Sequence, residues 1–172
     1  MRVLPSAAAA AALLMTASGL LAGDWSYDSQ TDEATVQAVS PPAQSEVGRA
    51  LEVAALEEAQ LVAWNNHDLD AYLRWYWNNP GLISLDNGRA TVGYSPFADQ
   101  MRAVYGGNPA LMGHTDMGRL RIKMIGTDVA VMVATYVTTT SNHADSIDDT
   151  AMVRHFPEGW RIVFESGTVH AQ

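Results

Sequence analysis

Two hydrophobic periods divide the chain: apolar residues recur at helical spacing up to about residue 105, and alternate with polar ones from about residue 119. Residues 46–66 contain no proline, only Gly48, and much Ala, Leu and Glu, which predicts a first helix. Its charges (Glu46, Arg49, Glu52, Glu57, Glu58) do not gather on one face, so this helix is expected from propensity and not from an amphipathic stripe. Asp68 is a natural N-cap for a second helix, and Leu69, Tyr72, Leu73 and Tyr76 follow at i, i+3, i+4, i+7. Asn78-Asn79-Pro80-Gly81 stops it. Residues 82–85 and 89–92 flank Asp86-Asn87-Gly88, a hairpin signal. Ser95-Pro96 opens a third helix whose apolar stripe is Phe97, Met101, Val104 and Tyr105.

In the last third, Arg119, Arg121 and Lys123 alternate with Leu120, Ile122 and Met124, opposite faces of a strand. Residues 129–140 are a long β-branched run, expected as a central or strongly bent strand. The polar, acidic stretch 141–149 reads as a connector. Residues 151–156 and 160–165 form a hairpin around Pro157-Glu158-Gly159. The order is α-α-β-β-α-β-β-β-β. That predicts an α+β fold, with three helices packed on one side of a strongly curved, mostly antiparallel sheet. Alternating βα units are absent, which argues against a doubly wound fold.

The N-terminus changes the picture of domain organisation. Arg2 precedes an apolar stretch from Ala7 to about Ala22, broken by Thr16, Ser18 and Gly19 and followed by small residues, so 1–23 reads as an export signal. Residues 24–45, with Asp24, Asp28, Asp32, Glu33 and Pro41-Pro42, read as a disordered acidic tether. The domain proper is 46–172. A periplasmic or secreted location is expected. No cysteine is present, so disulfides and thiolate chemistry are excluded. The chain holds 10 Lys+Arg against 19 Asp+Glu, and losing 1–23 removes only Arg2. That acidity argues against nucleic acid and anionic membrane surfaces as partners.

Three local motifs resemble the NTF2-like superfamily, in its SnoaL-like (DUF4440-type) branch. Ala63-Trp64-Asn65-Asn66-His67-Asp68-Leu69-Asp70-Ala71-Tyr72 is similar to the junction of the family's first two helices. The segment 88–93 is similar to the step from first hairpin to third helix. Gly159-Trp160-Arg161-Ile162-Val163 is similar to the start of the last strand. The likeness spans about 46–169. It implies a sheet curled into a cone around a pocket, and a homodimer formed through the sheet.

The resemblance also implies where chemistry would sit. Steroid-isomerase-type members use a carboxylate base on the first strand, with a tyrosine on the first helix and an acid on a late strand as neutral donors. Here those positions hold Gln60, Leu85 and Ala151 or Met152. The last strand keeps an acid at Glu165, but Ser166 stands where relatives carry histidine. His114, after Met112-Gly113, is the candidate general base, because imidazole titrates near neutrality. The candidate catalytic residues are therefore His114 and Glu165. The candidate pocket residues are Trp64, Tyr72, Trp75, Tyr136 and Met112. His143 with Asp145, Asp148 and Asp149 lacks calcium-loop spacing, so no metal site is expected, and no cofactor is implied.

These readings lead to an exported domain whose apolar, aromatic-rich pocket binds a small hydrophobic molecule. The alternatives are an isomerase, dehydratase or cyclase using acid/base residues in the pocket, and a dimerising module burying the face of Val131 and Val133.

Overall fold

The first helix, α1 (Gln44–Asn65), buries Ala50, Val53, Ala54, Leu56, Glu57, Gln60 and Ala63 along one side. This explains why no clean apolar stripe is legible: two positions on the inward face are polar, and both border a cavity. The computed structural model describes residues 27–28, 44–141 and 143–171. The expected export signal and most of the expected tether lie outside the described residues. Within the tether, β1 (Tyr27–Asp28) pairs antiparallel with Ile122 and Arg121.

Helix α2 (Leu69–Leu73) is capped by Asp68, whose carboxylate accepts from Ala71 N at 2.9 Å. It is shorter than its hydrophobic stripe, which continues to Tyr76. The chain leaves the helix because β7 captures its backbone: Trp77 N donates to Ile162 O and Ile162 N to Trp75 O, both at 2.9 Å. The strands β2 (Ile83–Asp86) and β3 (Arg89–Val92) turn through Asn87 (φ 48°) and Gly88 (φ 81°), the left-handed pair that a two-residue hairpin requires. Helix α3 (Tyr94–Tyr105) starts one residue before Ser95-Pro96, after Gly93, and buries Phe97 and Ala98. A 3₁₀ turn (Pro109–Met112) leads into β4 (His114–Met124).

The remaining strands are β5 (Val129–Thr139), β6 (Ala144–Phe156) and β7 (Gly159–Ala171). The sheet order is β1-β4-β5-β6-β7-β2-β3. All neighbours are antiparallel except β2 and β7, which run parallel. Register shifts at Met117/Arg119 and Met152/Val153 mark bulges, which bend strands and increase twist. Segment 144–149 is strand, not connector. Pairing on both sides satisfies its backbone, and strand alternation turns Ile147 and Asp149 toward the cavity.

The core fills the space between the helices and the concave face, around Val53, Leu73, Tyr76, Leu82, Leu120, Ile122, Val153 and Ile162. Asn65 clasps α1 to β4. Its side-chain amide donates to Thr115 O and its carbonyl accepts from Thr115 N, both at 2.8 Å.

Candidate functional site

Beyond the packed core, the concave face encloses a cavity of about 260 Å³. Helix α1 sends in Glu57, Gln60 and Trp64, one helical turn apart, so they share a face. The α2 region supplies Tyr72 and Tyr76, α3 supplies Phe97 and Met101, and the strands supply Ser84, Tyr136, Asp149 and Glu165. Four carboxylates thus line one cavity, with Asp86 exposed at its edge and Glu57, Asp149 and Glu165 set deeper, and among the described residues no Lys, Arg or His lines it.

Hydroxyl groups hold two of these acids. Tyr76 Oη donates to Glu165 Oε2 at 2.6 Å, and Ser84 Oγ donates to Glu165 Oε1 at 2.8 Å. The Tyr72 and Tyr76 hydroxyls lie 2.6 Å apart, extending the chain across the helix side. The Tyr136 hydroxyl donates to Glu57 Oε1. Asp149 is held less firmly, by the backbone of Thr150.

Burial sets the electrostatics, because a carboxylate loses its hydration on entering a low-dielectric site. It pushes Glu57 and Glu165 above the ordinary carboxylate range, against the Tyr136 bond in one case and the Tyr76 and Ser84 bonds in the other. Asp149 rises to about 8, first through burial and then through the charges of Glu165 and Glu57. Tyr72, Tyr76 and Tyr136 move well above 10 for the same first reason, so they remain neutral donors. Near neutral pH the cavity can therefore hold a protonated, donating carboxyl at Asp149 within a hydroxyl-lined pocket. That is a usable general acid/base arrangement.

No family model and no curated protein matches the sequence. Solved structures do. An NTF2-like protein of unknown function from Shewanella oneidensis superposes with a TM-score of 0.64 at 24% identity, over 68% of this chain and 96% of that one. One from Pseudomonas putida gives 0.61 at 15% identity, over 70% and 86%. A ketosteroid isomerase-like protein from Parabacteroides distasonis gives 0.54 at 19% identity, over 70% and 87%. The fold is NTF2-like.

Within this NTF2-like cone, Trp64, Tyr72, Tyr136 and Glu165 line the cavity. His114 stands outside it. The residue that β4 turns inward is Thr115, whose hydroxyl meets that of Thr138 at 2.8 Å. The His114 side chain is 63% exposed and pairs with Asp116 at 3.4 Å. Strand alternation thus removes His114 from the acid/base set. Met112 is fully buried beside the cavity, and its carbonyl accepts Trp64 Nε1–H at 2.8 Å. Trp75 faces a separate outer groove with Arg74 and Arg161.

The acid sought near Ala151 or Met152 arrives by another route. Glu165 on β7 lies directly across from Ala151, and Asp149 is two residues along β6 on the same face. On β2 it is Ser84, not Leu85, that bonds to a carboxylate. Sequence reasoning missed Glu57, Gln60, Ser84 and Asp149 as site residues. Two signals for them existed: the Glu57–Gln60–Trp64 spacing on α1, and the alternation Asp145, Ile147, Asp149, Ala151, Val153 leading out of a core strand. Among the described residues no group of three or more His, Asp or Glu is arranged to hold a metal ion.

Proposed function

We propose that the cavity is an acid–base site for a small molecule with an apolar body and one polar end, performing proton transfer of the isomerase or dehydratase kind. The observation that carries this reading is the convergence of Glu57, Asp149 and Glu165 in one cavity that, among the described residues, no Lys, Arg or His lines. Acids drawn away from water oppose folding, and perturbed titrating groups in a cleft cluster at functional sites. The rings of Trp64, Phe97 and Tyr105 offer an apolar wall for the body of the ligand. Asp149, protonated near neutral pH, would give its proton to the ligand's oxygen while the Glu165 carboxylate, fixed by Tyr76 and Ser84, takes one from the adjacent carbon, so that the transfer leaves the ligand's net charge unchanged.

The test is solvent-deuterium incorporation, followed by NMR, into a panel of small cyclic enones, ketones and β-hydroxy ketones. Asp149→Asn and Glu165→Gln should each lower the exchange rate by roughly 10²-fold or more. If panel members stabilise the protein against heat yet none exchanges above buffer, the cavity is a binding site and the proton-transfer reading is lost.

A second reading concerns assembly. On the outer face, Val131, Met152, Phe164, Ile83 and Val92 are consecutive cross-strand neighbours through β5, β6, β7, β2 and β3. Met152 is 40%, Ile83 38% and Val92 60% exposed. We propose that this apolar row is the homodimer surface, in a protein exported by residues 1–23. Light scattering at micromolar concentration should give twice the chain mass for the wild type, and one chain mass for Met152→Lys. A monomeric wild type removes the proposal.

A further inference from the structure

The proton transfer proposed above needs one acid and one base, Asp149 and Glu165, and leaves Glu57 without a role. Glu57 is 5% exposed, lines the cavity from α1, and accepts from the Tyr136 hydroxyl. Asp149, Glu165 and, at the edge, Asp86 border the same space, and among the described residues no Lys, Arg or His does. A carboxylate withdrawn from water in the company of other acids stays costly until a cation joins it.

A second observation at the same spot concerns Gln60, one helical turn from Glu57 on α1. It is 6% exposed, lines the cavity, and its Nε2 has no hydrogen-bond partner. No bond to Nε2 therefore opposes a half-turn of the amide, which presents Oε1 in place of the nitrogen. Glu57 and Gln60 then offer two acceptors side by side.

The chemistry of the missing partner follows. An ammonium group brings positive charge and three N–H donors, so it serves both acceptors at once. A carboxylate or phosphate would add charge of the sign the cavity already holds. A neutral ligand leaves the acids uncompensated. Among the described residues no group of three or more His, Asp or Glu is arranged to hold a metal ion, so the cation is a molecular one. Trp64 and Tyr72, whose ring centroids lie 5.0 Å apart, add aromatic surface to the cavity, and aromatic faces attract organic cations.

We infer that Glu57 is the counter-ion for an ammonium group on the ligand, with Gln60 Oε1 as the second acceptor. This rests on the small-molecule reading above and deepens it: the substrate class is an amine that also bears the reacting oxygen, such as an amino ketone. Burial is the first cause of the raised Asp149 carboxyl, so neutralising Glu57 removes only a smaller contribution and Asp149 remains a proton donor.

The probes are cyclohexylamine, which is protonated at neutral pH, cyclohexanol and cyclohexanecarboxylate, titrated by calorimetry into wild type and Glu57→Gln. Glutamine keeps the length of glutamate and removes its charge. The wild type should bind the amine most tightly and the carboxylate least. Glu57→Gln should weaken cyclohexylamine roughly 10-fold or more and change cyclohexanol by less than about 3-fold. A second readout uses the wild type alone, carbon-13 NMR of the Glu57 carboxyl followed against pH. Burial raises that carboxyl's midpoint, Tyr136 lowers it and Glu165 raises it, while Tyr72, Tyr76, Asp86, Tyr105 and Asp149 also face the cavity. Cyclohexylamine should lower the midpoint, because a neighbouring cation favours the ionised form, and cyclohexanol should leave it in place. A midpoint unmoved by the amine overturns the inference whether or not the variant folds. So does an alcohol that binds the wild type as tightly as the amine, or equal weakening of both by Glu57→Gln. These three results leave the small-molecule cavity standing. Tight amine binding without deuterium exchange upholds the counter-ion and removes the proton transfer. Binding of none of the three probes overturns both.

Discussion

Asp149→Asn is expected to make the protein more stable than the wild type, by a margin that is modest at pH 5 and several kcal/mol larger at pH 8. The folded-state value of Asp149 is raised from 3.8 to about 8, with burial as the first cause. Below pH 4 both folded and unfolded chains carry the proton, and the group does not discriminate between them. As pH rises, the unfolded chain releases the proton and the folded chain retains it. Unfolding therefore becomes steadily easier until the folded carboxyl also ionises near pH 8. The loss is about 1.4 kcal/mol per pH unit for each proton retained. Across pH 5 to 8 this amounts to a few kcal/mol, a drop in melting temperature on the order of 10 °C. Glu57 and Glu165 are raised in the same direction and steepen the decline. Asparagine has no proton to release, so the difference between variant and wild type should widen with pH. Thermal melts from pH 5 to 8 decide the matter, and a difference that stays constant with pH would sink the assignment of Asp149 as a buried, proton-retaining acid.

Leu73→Ala is expected to cost about 2–5 kcal/mol of unfolding free energy, read from urea titrations. Leu73 is fully buried in the main core, yet it belongs to a helix of only five residues. So short a helix has almost no stability of its own, and packing of this side chain holds it in place. The control is Val62→Ala, on the exposed side of α1, where a change within about 0.5 kcal/mol is expected. Similar small losses for both substitutions would contradict the placement of the core.

The two experiments probe opposite sides of one design. The core at Leu73 stabilises the fold. The acid cluster opposes it, and it persists because hydroxyl donors from Tyr76, Ser84 and Tyr136 offset part of the desolvation. Substitutions that neutralise the acids should raise stability and lower any proton-transfer activity, the trade expected when a site is held in a strained electrostatic state.

What the sequence determined by itself was the order of elements and the alternation within them. Asp68 capped its helix, Asn87-Gly88 turned its hairpin, and Arg119–Met124 kept its two faces, because caps, turns and strand period depend on neighbours a few residues apart. The full length of β6 and β7 was decided by partners. A polar run such as 144–149 has no strand signal until β5 and β7 lie on either side of it. The site was decided the same way. Glu57, Asp149 and Glu165 are far apart in sequence, and each reads locally as an ordinary surface acid. Only the curl of the sheet against α1 brings them into one cavity and turns them into coupled acids. His114, the residue type that most suggests chemistry, was turned outward by strand parity. Gln60, which suggests none, became the one buried donor without a partner among the described residues.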